Sequence, residues 1–527
     1  MAEATELMSM AARLGGLDPF FNSARALAVA RWGAGISAMV AASATRYPRR
    51  AAVVDHRGSI DYATLDRYAS NIGGLLRTRA SSQLGDGTVG ILCRNHRGFV
   101  LAQVGAERAG RDVVMLSTAL PQASLLDVVA REHIDVIIAD LEFADLVEPI
   151  VNEGSVRVVF ADSSEPGGLE ALAAERRRCP PPTRRGRLVI LTSGTTGPPK
   201  GARRDNKAPG LDALSMFAKV PYRAGGQVLV CPPLFHAWGL SQATIALSTA
   251  STLHLRPKFE VESTIGLMRS TRFDAVAVVP LMLKRMLRSP EISDIRRPRL
   301  VLSSGNVLSG DVALEWMDRF GDTLYNFYGS TEAALGTVAD PESLRLSPGT
   351  VGRAPRGVVI GILDREGMPV SAGTRGRVHL SSSMRFSGYT DGTTSESFGN
   401  LMATGDLGYM DEHGLLHVEG RVNDMIVTGG ENVFPSRVEE VLERYDDVDN
   451  AAVVGLADEE YGQRVVAFIV PRAGRKLDVA DLLEFARHDL ERFMVPKEVR
   501  IVDSLPMTTT GKVIRRELRV LGDPDRL

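Results

Sequence analysis

Leu191-Thr192-Ser193-Gly194-Thr195-Thr196-Gly197-Pro198-Pro199-Lys200-Gly201 follows the apolar run Arg187-Leu188-Val189-Ile190-Leu191, which reads as a short buried strand. A strand that ends in glycines and small hydroxyl residues suits an anion. Glycine lets the backbone approach closely and take positive φ, so that successive N–H groups converge on one concavity. Thr192, Ser193, Thr195 and Thr196 add hydroxyl donors, Gly194 and Gly197 supply the freedom, and Lys200 brings a cation with three more donors. A polyphosphate is the natural guest. The order is not that of the common P-loop, in which Gly-Lys-Ser/Thr opens a helix. Here the lysine precedes its glycine, and Pro198-Pro199 disfavour an immediate helix. A plain Gly/Thr linker is the competing reading, and a lysine with no acidic neighbour speaks against it.

At 527 residues the chain exceeds one ordinary core, so two or more domains are expected. Hydrophobic residues at 44% and charged residues at 24% describe a soluble globular protein. A formal net charge of -2 gives no general attraction to nucleic acid, and no nucleic-acid partner is expected. Cys93, Cys179 and Cys231 lie far apart without ligand spacing, which argues against a disulfide framework or zinc and fits a reducing cytoplasm. No window reads as a transmembrane helix. The nearest case, Ala24 to Ala44, is interrupted by Arg25 and Arg31 and reads as one packed or surface-lying helix. Peripheral membrane contact and assembly into a homo-oligomer stay open.

The first fifty residues look helical up to Tyr47-Pro48. Ala51–Asp55 and Ser59–Tyr62 read as a hairpin around His56-Arg57-Gly58, and Thr64 as the cap of the helix that follows. Strands at Thr88–Leu92, Ile134–Ala139, Val156–Phe160, Val228–Val230 and Ala275–Val279 alternate with helical stretches, the rhythm of α/β layers with largely parallel sheets. Arg176, Arg177, Arg178, Arg184, Arg185 and Arg187 surround Pro180-Pro181-Pro182, a solvated, proline-stiffened connection. An attractive surface for a phosphorylated ligand is the sharper alternative. From Gly349 short strands and glycine turns predict a small barrel-like unit, and after Gly420 a compact α+β module begins.

Five further stretches carry chemistry only in company. Tyr328-Gly329-Ser330-Thr331-Glu332 offers hydroxyls and a hard carboxylate, and follows Asn326-Phe327; alone it reads as a turn with a capped helix. Thr404-Gly405-Asp406-Leu407-Gly408 reads as a turn with one acid, near Gly420-Arg421. Asn423 to Pro435 contains Gly429-Gly430-Glu431, an ordinary hairpin on its face. Pro506 to Lys512 ends in a lysine after a glycine, usually a surface cation. Pro233-Leu234-Phe235-His236-Ala237-Trp238 places a histidine in a turn before an apolar stretch.

Taken in order from residue 191 to 512, these stretches resemble the acyl-adenylate-forming superfamily, and most of all its fatty-acyl-CoA synthetases. The resemblance implies a large N-terminal domain of layered α/β subdomains with a small β-barrel-like subdomain, followed by a small mobile α+β C-terminal domain. Its boundaries are 1–420 and 421–527, with a hinge near Asn423. It implies that residues 192–197 and Lys200 bind the ATP phosphates, and that Ser304-Gly305-Asn306 and Asn326 to Ser330 border the adenine. By the same likeness Thr331 contacts the α-phosphate, Glu332 holds Mg²⁺, and Asp406 and Arg421 take the ribose. His236 lines the acyl pocket, Lys512 is the main catalytic residue of adenylation, and Gly429, Gly430 and Glu431 border the path of CoA. Asn423 stands where the family more often has Asp or Lys, and Arg377 where it commonly has Glu.

The activity so implied is a two-step acid–thiol ligation, with medium- to long-chain fatty acids as the default because few charges follow His236. Aryl acids, a carrier-protein thiol in place of CoA, an amino-acid-selecting relative and a non-enzymatic binding protein are the alternatives.

Overall fold

The computed structural model describes residues 10, 12–14, 18–77, 87–152, 154, 156–192, 200–204 and 211–522. Apolar runs without alternation become central parallel strands, as burial on both faces requires. Six strands form one sheet in the order Arg157–Phe160, Ile134–Ala139, Thr88–Leu92, Asp112–Met115, Leu188–Thr192 and Lys200–Arg204, parallel except for the last. Thr88–Leu92 is buried along its whole length.

A second sheet has eight strands. Gln227–Val230, Thr252–Leu255, Ala275–Val278, Val301–Ser304 and Leu324–Ser330 run parallel with Ala51–Asp55, and a hairpin closes each edge. The largest core cluster joins the two sheets through the helices Ile36–Arg46, Arg97–Ala109 and Ala237–Ser248. One buried ion pair ties them electrostatically: the Arg97 guanidinium donates to both oxygens of Asp55 at 2.6 and 2.9 Å.

The β-rich unit expected after Gly349 is an antiparallel sheet of five strands, among them Gly376–Ser381, Leu401–Met410 and Leu416–Arg421. Isolated bridges from Val338 to Arg353 and from Gly352 to Leu416 fasten it to the eight-stranded sheet. The smaller C-terminal domain packs the helices Pro435–Glu443 and Val479–Asp489 on a sheet of Val448–Asp458, Gly462–Pro471 and Glu498–Ile501.

Three local expectations are corrected. Ala24 to Ala44 is not one helix: Gly33, at φ 88°, separates Pro19–Trp32 from Ile36–Arg46. Thr64 is not a cap, because the helix Tyr62–Arg77 starts before it and the Asp61 carboxylate accepts from the Thr64 N–H at 2.8 Å. Residues 404–408 lie inside the strand Leu401–Met410, where positive φ at Gly405 and a register shift after Leu407 bend the strand rather than end it. The basic segment is solvated as expected, with Arg176, Arg178, Arg184, Arg185 and Arg187 exposed, and it is tethered at a few points. Arg77 donates to the Pro180 carbonyl at 2.6 Å, Arg184 pairs with Asp112 at 2.7 Å, and the Arg177 N–H meets the Asn71 side chain.

Gly352 tests the junction between sheets. It sits at φ 83°, and a Cβ there would lie 2.2 Å from the Val338 carbonyl oxygen. Gly352→Ala is expected to destabilise the protein by more than about 1 kcal/mol, read as a lower urea midpoint, because both the backbone conformation and the space refuse a side chain.

Candidate active site

The hairpin of Leu324–Ser330 and Ala334–Ala339 carries Thr331, Glu332 and Ala333 at its tip. Ala334 takes φ 64°, the left-handed residue that closes a three-residue turn and costs a non-glycine roughly 1–2 kcal/mol. Three contacts fix the tip. Arg204 donates to the Thr331 carbonyl at 2.7 Å, the Phe386 N–H to the Glu332 carbonyl at 2.7 Å, and the Tyr389 hydroxyl to Glu332 Oε1 at 2.8 Å. Burial, with the Glu332 carboxylate beside it, pushes the Tyr389 phenol up to about 12, so it stays a donor.

Beside this tip, Asp406 is 6% exposed. Its Oδ2 accepts from the Tyr328 hydroxyl at 2.6 Å and its Oδ1 faces Arg421 Nε at 2.9 Å. Burial and the Asp406 charge raise the Tyr328 phenol well above its ordinary value. Arg421 also donates to the Thr404 carbonyl at 3.0 Å, which aims it along the strand. On the other wall, the Ser304 hydroxyl donates to the Phe327 carbonyl, Gly305 has φ 94°, and Asn326 is buried with its Oδ1 unpartnered among the described residues.

The C-terminal segment enters this wall. Thr508 to Lys512 form a tight turn in which the Thr508 N–H donates to the Lys512 carbonyl at 2.8 Å, with Gly511 at φ 74°. The Gly511 carbonyl accepts from the Asn306 amide at 3.3 Å, and Thr509 Oγ1 lies 3.0 Å from His236 Nε2. Burial, with Arg421 adding to it, holds the Lys512 amine below its ordinary value, while Asp406 and Glu332 pull the other way. His236, Lys512, Glu332, Thr331, Asp406 and Arg421 therefore border one cleft of about 3180 Å³. Trp238 lines the same cleft, with its indole N–H on the Val278 carbonyl at 2.9 Å and its ring 5.0 Å from that of Phe327.

Other expected residues stand differently. Ser193, Gly194, Thr195, Thr196 and Gly197 lie outside the described residues, and Thr192 ends the strand Leu188–Thr192. Lys200 borders the cleft but pairs with Asp391 at 3.2 Å and with Thr393, its amine 5.3 Å from the centre of the Tyr389 ring. Gly429 and Gly430 form the two-residue turn of the hairpin Ile426–Thr428 and Glu431–Val433, both with positive φ, which is reason enough for glycine at each. That turn, with Glu431, is exposed and not on the cleft wall.

Sequence reasoning assigned no role to Arg204, Tyr389 or Thr509. The charge of Arg204, at the end of the strand Lys200–Arg204, offered one signal.

Glu332 fits a magnesium ion in chemistry: one hard carboxylate, with phosphate oxygens and water completing the shell, is a usual Mg²⁺ donor set. The three-ligand cluster found among the described residues lies elsewhere and is spent on structure. His96 Nε2 is 2.7 Å from Asp140 Oδ1, the Arg94 N–H takes Asp140 Oδ2, and Cys93 donates to the Ile138 carbonyl with its thiol raised by burial.

The model of the AMP-binding enzyme family matches residues 40–390, and that of the AMP-binding enzyme C-terminal domain matches residues 437–512. The chain belongs to the AMP-binding enzyme family, within the acyl-adenylate-forming superfamily. This AMP-binding enzyme is 29% identical over 482 residues to the feruloyl-CoA synthase of Amycolatopsis sp, covering 90% of this chain and 96% of that one. It is 33% identical over 341 residues to the indoleacetate–CoA ligase of Aromatoleum aromaticum, covering 63% and 67%. Its fold matches ATP-bound MatB of Rhodopseudomonas palustris with a TM-score of 0.82 at 26% identity, over 93% of this chain and 98% of that one. The apo form of MatB, over the same shares and at the same identity, gives 0.71, so the arrangement here is nearer the ATP-bound form.

Burial, with Lys512 adding to it, pushes the His236 imidazole down to about 4. It is expected to stay neutral between pH 6.5 and 4, whereas in the unfolded chain it would bind a proton in that range. Its contribution to stability is therefore lost as pH falls through that window. Nitrogen-15 NMR of the imidazole checks this, and a titration centred near pH 6.5 would contradict the burial.

Proposed function

We propose that this AMP-binding enzyme activates an apolar carboxylic acid with MgATP and passes the acyl group to CoA. Acid and ATP give acyl-AMP and pyrophosphate; the CoA thiol then gives the thioester and AMP. The observation that carries the reading is the seating of Lys512 in the cleft wall that holds Glu332, Thr331, Asp406 and Arg421.

A carboxylate is already ionised at neutral pH, so attack on the α-phosphorus needs no general base. Positioning and electrostatics have to supply the rate. Lys512 is the cation that stabilises the charge gathering on the α-phosphate, with Thr331 donating from the hairpin tip. Asp406 and Arg421 hold the ribose, Asn326 to Ser330 and Ser304 to Asn306 border the adenine, and residues 192–197 with Lys200 hold the outer phosphates. Lys200 would exchange Asp391 for phosphate as ATP enters. Mg²⁺ on Glu332 would offset charge on the phosphate oxygens. Neutral His236 lines the pocket near the carboxylate and the path taken by the thiol.

The chain divides at 420/421 in this reading. Rotation about Asn423 would withdraw Lys512 and bring the Gly429-Gly430-Glu431 turn to the cleft as the border of the CoA path. The nearness to ATP-bound MatB supports assigning the present arrangement to adenylation.

Trp238, which lines the cleft beside His236, favours a flat aromatic group on the acid, as do feruloyl and indoleacetate in the names of the relatives. A medium- to long-chain fatty acid is the second reading. Ile245, Met216 and Leu335 continue the same wall with apolar surface.

Pyrophosphate release across aryl and aliphatic acids, with and without CoA, tests both. CoA-dependent turnover on aryl acids is expected, and exchange without any thioester would contradict CoA as the acceptor. Lys512→Ala is expected to slow acyl-AMP formation by about 100-fold or more, while thioester formation from supplied acyl-AMP and CoA persists. Equal loss of both half-reactions would remove Lys512 from its adenylation role.

A further inference from the structure

The helix Pro280–Arg288 buries Met282, Leu283, Met286 and Leu287 in the core beside the eight-stranded sheet. Leu281, Lys284 and Arg288, at spacings of three and four, form a second face. Each meets a different part of the C-terminal domain. Leu281 lies against Gly511, where a Cβ would stand 2.7 Å from Leu281 Cδ2. Lys284 Nζ pairs with Glu443 Oε2 at 2.6 Å, with side chains 17% and 30% exposed. Arg288 pairs with Asp449 and also donates to the Asp449 carbonyl at 3.0 Å. From the next helix, Gly310–Phe320, Asp311 takes Arg444 at 2.8 Å, both more exposed.

Lys284–Glu443 is the best sheltered of these ion pairs. Glu443 also accepts from the Ala451 N–H at 3.2 Å through its other oxygen. One carboxylate thus joins the helix Pro435–Glu443 and the strand Val448–Asp458 of the C-terminal domain to the helix that touches Gly511. An ion pair half withdrawn from water is screened less than an exposed one, and losing one partner leaves a charge poorly solvated. The pair bridges the domains in the arrangement that seats the Lys512 turn, so its free energy favours that arrangement over any other.

We propose that Lys284 and Glu443 are positioning residues for acyl-AMP formation: they clasp the C-terminal domain in the orientation that holds Lys512 in the cleft. The proposal rests on the two-step reading above. Neither side chain is assigned to ATP or the acid, and the clasp acts on the equilibrium between domain orientations. The thioester step, in the other orientation, does not need it.

The test is a double-mutant cycle of Lys284→Gln and Glu443→Gln with Lys284→Arg as the conservative variant. ATP–pyrophosphate exchange is expected to fall about tenfold in each single Gln variant and little further in the double. Thioester formation from supplied acyl-AMP keeps its rate or rises, and Lys284→Arg restores exchange. Equal loss in both half-reactions, or additive losses in the double, would overturn the proposal. A wild type without exchange would instead refute the two-step reading. Fluorescence transfer between dyes on the two domains still decides the clasp in that case. Lys284→Gln should deplete the close population, and an unchanged distribution overturns the proposal.

Discussion

The carboxylate of Asp406 is the constraint on which the site depends. A buried carboxylate must be paired, and its partners here come from distant parts of the chain. Tyr328 reaches it from the eight-stranded sheet, Arg421 from the strand that leads to the C-terminal domain. Lys512 feels its charge from the far end of the chain. Removing the carboxylate would leave Arg421 and Lys512 with less to offset their mutual repulsion. It would also free the Tyr328 hydroxyl at the end of the eight-stranded sheet. Geometry and electrostatics therefore converge on one side chain, whatever acid is bound.

Around that carboxylate the protein balances cations that would otherwise repel. Burial and Arg421 both lower the Lys512 pKa, and Glu332 and Asp406 oppose them. The phosphates of ATP would add negative charge at the same place. In the proposed adenylation the Lys512 turn would be better tolerated in the cleft with nucleotide present than without it. The bond from the Asn306 amide to the Gly511 carbonyl, and the packing of Leu281 on Gly511, give the turn a fitted seat independent of charge.

Much of the fold was legible because its central strands are buried on both faces and read as unbroken apolar runs: Thr88–Leu92 and Ile134–Ala139 were read to the residue. Ends and breaks were harder. Asp61 and Thr64 can each cap a helix, and only the observed bond shows that Asp61 does. Gly33 between two apolar helices looked like one small residue among several. In the site, motif order placed His236, Glu332, Asp406 and Lys512, and the cleft brings them together. Lys200 carried a strong local signal and is nonetheless paired with Asp391. Tyr389 on Glu332, Arg204 on Thr331 and Lys284 on Glu443 have no local signature, since each pair is more than fifty residues apart and set by packing alone.

The claim that joins these observations is that the acid's own oxygen attacks the α-phosphorus and leaves with AMP. The direct measurement uses acid labelled with oxygen-18 in both carboxylate positions and mass spectrometry of all products. One labelled oxygen in AMP, none in pyrophosphate and one retained in the thioester carbonyl is the predicted result. Unlabelled AMP, or label in pyrophosphate, would mean that the acid is not activated as an adenylate.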